Sequence, residues 1–187
     1  MKFNKTIVIL ASISSIFLAC SNDDDPVVIN EEELITTVRA TLIPQNGGNT
    51  IILKSVDLDG DGPNKANLSV SGSLDSNTNY SATLEILNET EAPAEDITLE
   101  ILEEDEDHQF FYSFTNNIAT ATYKDQDANG NPIGVQFDLL TGAAATGNFT
   151  ITLKHEPNKG GENVKAGDIT NADGATDVQV TFNLTID

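Results

Sequence analysis

Short runs of alternating apolar and polar residues, separated by turn-forming clusters, fill most of the chain beyond residue 33. The clearest run closes the sequence, where Val178, Val180, Phe182, Leu184 and Ile186 alternate with Gln179, Thr181, Asn183, Thr185 and Asp187. A period of two puts every second side chain on one face, which predicts a half-buried strand. Phe149, Ile151 and Leu153 alternate with Thr150, Thr152 and Lys154 in the same way, and a glycine-rich bend over 157–161 follows. Comparable patterns predict strands over 34–42, 49–56, 80–87, 109–115, 118–124 and 135–140, with a weaker one near 67–71. About eight strands joined by turns, with almost no helical periodicity between them, predict an all-β fold: an antiparallel immunoglobulin-like β-sandwich.

Residues 93–108 fit two elements. Ile97, Leu99 and Ile101 alternate as in a strand, and the β-branched Ile97, Thr98 and Ile101 favour one. A short helix near 94–107, starting after Pro93, would instead place Ile97, Ile101 and His108 roughly along one side. Nine of the 17 residues over 91–107 are acidic, a density that requires exposure or counter-ions.

The start of the chain reads differently. Lys2 and Lys5 precede an uncharged apolar run over 6–19 that ends at the small Ala19, as in a secretory signal peptide. The run is too short for a bilayer span of about 20 residues. The chain's one cysteine follows immediately, in Phe17-Leu18-Ala19-Cys20, and Ser21-Asn22-Asp23-Asp24-Asp25-Pro26 continues as a solvated tether. Three parts are therefore expected: a signal peptide over 1–19, an acidic tether over 20–32 beginning at Cys20, and one sandwich domain over 33–187.

Charge narrows the partners. The 187 residues carry nine basic and 30 acidic side chains, a formal charge of -21. Removing residues 1–19 takes away two lysines and no acid, so the mature chain is more acidic still, at -23. Such a field repels phosphate, which excludes a nucleic-acid binder, and a single cysteine excludes an internal disulfide.

Two spaced acidic loops are candidate cation sites. In Asp57-Leu58-Asp59-Gly60-Asp61-Gly62, the carboxylates of Asp57, Asp59 and Asp61 occupy alternate positions beside a glycine, an arrangement that can wrap oxygen donors round calcium. Only the first half of an EF-hand loop is present, because the ninth and twelfth positions hold Lys65 and Leu68. A weaker copy, Asp125-Gln126-Asp127-Ala128-Asn129-Gly130, offers Asp125, Asp127 and Asn129. Solvated hairpin turns use the same residues, whose side chains bond to their own backbone, so both readings stand.

The two histidines lie at element boundaries, His108 where the acidic segment gives way to an aromatic strand and His155 at the end of a predicted strand. With Glu104, Glu106 or Glu156 they offer the donor set of a zinc, copper or iron site if the fold brings the two segments together. Separate hydrogen-bonded or exposed histidines are the alternative. The chain has no His-Glu-x-x-His, no Gly-x-Ser-x-Gly and no phosphate-cradling glycine loop, so no enzyme activity is expected.

The Phe17-Leu18-Ala19-Cys20 sequence resembles a bacterial lipoprotein signal, with Phe17 where the pattern prefers leucine. The resemblance implies that Cys20 is lipidated and anchors the mature chain in a membrane. The acidic residues after Cys20 resemble surface-export signals of Bacteroidota lipoproteins, which implies display on the outer-membrane surface, with a periplasm-facing anchor as the alternative. Residues 57–64, the stretch from Pro93 to Tyr112, residues 125–134, the His155-Glu156-Pro157-Asn158-Lys159 turn and the closing strand together resemble a family of small flavobacterial lipoproteins of unknown function. The implied role is a lipid-anchored extracellular binding or structural module, with calcium-stabilised loops and a surface protein or glycan as partner. A transition-metal-binding lipoprotein using His108 and His155 is the second expectation. Some members carry a type 1 periplasmic-binding-fold name, which would imply a solute-binding protein. That fold needs two lobes of alternating strands and helices, which this short chain does not encode.

Overall fold

The computed structural model describes residues 34–60, 62–90 and 92–187. The expected signal peptide over 1–19, the tether over 20–32 with its lipidated Cys20, and Asp61 lie outside the described residues.

Among the described residues, ten strands and one α-helix follow one another as β1 (Thr37–Pro44), β2 (Ile51–Val56), β3 (Asn67–Val70), β4 (Asn79–Asn88), β5 (Glu95–Asp96), α1 (Ile97–Glu103), β6 (His108–Phe114), β7 (Ala119–Tyr123), β8 (Gln136–Thr141), β9 (Ala145–His155) and β10 (Ala175–Ile186). They form an antiparallel β-sandwich. One sheet runs β3-β2-β1-β4-β8-β7, with β5 added beside β4, and the other runs β10-β9-β6. The alternation is what closes the two layers. In β4, Tyr80, Ala82, Leu84 and Ile86 are buried, while Ser81 and Thr83 are exposed. Tyr80, Phe110, Phe137, Phe149 and Phe182 are each under 2% exposed between the sheets. Burying one such side chain contributes roughly 1.5–3 kcal/mol, so the aromatic layer dominates the core.

The structure departs from the expected elements at two places. The small-residue stretch before Phe149 lies outside the predicted strands, yet β9 begins at Ala145 and pairs Gly147 with Leu184 of β10. A Cβ at Gly147 would press on the Ile118 side chain and the Thr115 carbonyl, so only glycine lets the strand pass this close. The two alternatives for residues 93–108 occur in succession, since two residues of strand lead into seven of helix. Asp96 caps α1 by accepting the Thr98 N–H at 3.1 Å. The buried Thr98 hydroxyl accepts the Ile86 N–H at 2.8 Å, so the helix seals the edge of β4 where a further strand would have paired. Ile97 and Ile101 pack into the core, and the acidic side faces outward. Some of that charge crowds Glu100, whose carboxyl is raised by burial and by Glu95, Glu104 and Glu103.

Candidate metal centre

The three-stranded sheet has β9 at its centre, so the last residue of β9 has a neighbour on each side. His155 is that residue, and it pairs with His108, the first residue of β6. His155 is in phase with Phe149, Ile151 and Leu153, and His108 with Phe110 and Tyr112, so both imidazoles extend the inner face to the end of the sandwich. On the other side, Thr176 pairs with Lys154 and Val178 with Leu153, which leaves Asp177 as the extra residue of a β-bulge. Regular alternation would turn Asp177 outward from its buried-side neighbour Val178. A bulge re-aims a side chain, and here it brings the Asp177 Oδ2 to 4.0 Å from His155 Nδ1.

His108, His155 and Asp177 thus form a three-residue group, one from each strand, whose donor atoms all lie within 4.8 Å of one another. The rings of His108 and His155 meet edge to face with centroids 4.6 Å apart. His108 is completely buried, and the His155 and Asp177 side chains are 15% and 12% exposed. His108 Nδ1 lies 3.1 Å from the Glu104 carbonyl, which follows the last turn of α1. A carbonyl only accepts, so Nδ1 donates and Nε2 of the neutral ring carries the lone pair. That Nε2 is buried and has no hydrogen-bond partner. An imidazole tied back through one nitrogen, with the other left without a hydrogen-bond partner, is how metal-ligating histidines are held. Donors about 2.1 Å from a tetrahedral ion stand about 3.4 Å apart, so the group closes on an ion by side-chain movements of about an ångström.

The fold brings the two sequence-predicted histidines together but takes its carboxylate from elsewhere. Glu156 is exposed and follows His155 with a positive φ of 47°, and it lies outside the group. Glu104 contributes its carbonyl. Asp177 has no local signal, because nothing in an alternating strand announces that one residue is extra.

The spaced loops are used differently. Asp125 accepts the Gly134 and Gln136 N–H groups at 2.7 and 2.8 Å, fastening its loop to the start of β8. Asp127 accepts the Asn129 and Asn131 N–H groups at 2.9 and 2.8 Å and the Asn131 amide at 3.1 Å. The cation beside Asp127 is an ammonium, for Lys159 Nζ lies 3.2 Å from its Oδ2 and also donates to the Asp105 carbonyl. Burial raises the Asp127 carboxyl, but the Asn131 bonds and Lys159 outweigh it and hold the group below the ordinary range. Asn129 is exposed at the loop tip. In the first loop, Asp59 is exposed and accepts the Asn64 N–H and amide at 3.2 and 2.8 Å, and the Asn64 backbone bond is the main cause of its lowered pKa. Asp57 is half-buried, and its Oδ1 is enclosed without a hydrogen-bond partner. Among the described residues, the histidine pair with Asp177 is the one group of three or more such side chains placed to share an ion.

A cleft of about 360 Å³ opens beside this group, between the residues leading into β1 and strand β10. Ile35, Val38, Val178 and Val180 supply apolar wall, and both Asp57 and Asp177 line it. The chain matches no protein-family model, no curated protein and no solved structure.

Proposed function

We propose that this chain is a lipid-anchored β-sandwich that binds a divalent transition metal, zinc in the first instance, through His108, His155 and Asp177. The observation that carries the reading is the His108 ring, fully buried, bonded through Nδ1 to the Glu104 carbonyl and with an unpartnered Nε2, in a group with His155 and Asp177 whose donor atoms lie within 4.8 Å of one another. A buried polar nitrogen without a partner costs about 1–3 kcal/mol, and an ion at that point removes the cost. Two imidazoles and one carboxylate suit zinc, copper, nickel or ferrous iron, and disfavour calcium, which takes six to eight oxygens. Anchoring rests on the lipoprotein-like signal ending at Cys20. No helix among the described residues is long and apolar enough to cross a membrane.

Isothermal titration of the full chain with zinc, copper and calcium tests the metal. A single zinc site is expected, weakened about 100-fold or more by His108→Ala, His155→Ala or Asp177→Ala, with circular dichroism checking that each variant stays folded. Zinc binding that survives all three substitutions, or a calcium-only response lost with Asp57→Asn, overturns the proposal. Metabolic labelling with palmitate tests the anchor: Cys20→Ser should lose the label and leave the membrane fraction.

A further inference from the structure

This step rests on the metal reading. We infer that the metal keeps one open coordination position facing the cleft beside Asp177, and that the position takes a small, uncharged or cationic nitrogen-donor ligand of the imidazole type. Three protein donors on a four-coordinate ion leave one position for an outside ligand. His108 is fully buried, so the open side is that of His155 and Asp177, the two partly exposed members. Asp177 is shared between the metal group and the cleft wall, so a ligand entering the cleft reaches the ion past this carboxylate.

The cleft also states what the ligand must carry. Asp57 lines it, so a ligand that carries an N–H finds a carboxylate in the wall to accept it. Ile35, Val38, Val178 and Val180 favour an apolar body. Two wall carboxylates on a chain of charge -21 repel anions. An imidazole meets all three requirements, because one nitrogen coordinates while the opposite N–H donates to a carboxylate.

The test is a cobalt-loaded full chain, whose visible absorption reports the coordination sphere, titrated with imidazole, azide and acetate. Imidazole should shift the bands saturably and bind at least about tenfold more tightly than either anion. Asp57→Ala should weaken imidazole about tenfold, as expected for losing one hydrogen bond to a charged group, and leave cobalt affinity within about twofold. Ile35→Trp, which fills the cleft away from the ligating atoms, should abolish the shift and retain cobalt. Cobalt uptake with no imidazole shift overturns the open position, and equal imidazole affinity in both variants overturns the cleft as its seat. Tighter binding of azide or acetate overturns the ligand class. Absence of cobalt uptake overturns the metal reading itself, and this inference with it.

Discussion

Replacing Lys159 with methionine should destabilise the sandwich by about 3 kcal/mol. The Lys159 and Asp127 side chains are 5% and 0% exposed and 3.2 Å apart, so the pair is out of reach of solvent screening. Removing one member of a buried pair costs about 3–5 kcal/mol, because the other charge is left uncompensated. Asp127 would keep three N–H donors from Asn129 and Asn131, which places the cost at the lower end. For a domain of this size each kcal/mol lowers the melting temperature by about 2–4 °C, so the expected fall is about 6–12 °C. Urea unfolding at neutral pH measures the free energy directly. The acid limb supplies an independent check. Asp127 has a folded pKa below its ordinary value, so its contribution is complete above the unfolded pKa of about 3.9 and is lost as pH falls through the folded value. Without Lys159 the folded pKa rises, and stability is lost at higher pH than in the parent. Adding Asp127→Asn to the variant should recover part of the loss, since a neutral amide needs no counter-ion. A Lys159→Met protein within about 0.5 kcal/mol of the parent, or with an unchanged acid limb, would refute the reasoning.

Gly174→Ala should damage both stability and metal binding. Gly174 has φ 67°, and a Cβ there would overlap the His155 and Glu156 carbonyl oxygens next to the bulge. A loss of about 2 kcal/mol or more in urea unfolding, with at least tenfold weaker zinc binding, is expected. Thr98→Val removes the hydroxyl that accepts the Ile86 N–H and should cost about 1–3 kcal/mol, with faster hydrogen exchange at the Ile86 amide. Burial raises the phenol of Tyr123 to about 12 and that of Tyr112 well above its ordinary value of 10.0. Their contribution is complete below pH 10 and is lost as pH rises through the folded values, so stability should decline from about pH 10. Near-ultraviolet absorbance should show the matching delay in tyrosinate formation.

The sandwich was legible because it depends on short-range alternation, and β4 and β10 carry that signal over ten and twelve residues. Positions where one residue does two jobs were harder to read. Thr98 has the β-branching of a strand residue, yet it sits in a helix because its hydroxyl replaces a ladder bond. In the second spaced loop, Asp127 is met by Lys159, which is distant in sequence and not announced by the loop's own residues. His108 and His155 could be named as a candidate pair from their residue types and their places at strand ends, and β6–β9 register joins them.

Sequence alone determined the alternation that commits the chain to two sheets, the excess of acidic side chains, and the identity of the two imidazoles. Tertiary structure alone decided that those imidazoles share one end of β9, that Asp177 rather than Glu156 completes the group, and that Lys159 pairs with Asp127. The physical reason is range: alternation is a property of neighbouring residues, whereas strand register, a one-residue bulge and a buried ion pair are set only when residues 22 to 47 positions apart pack together.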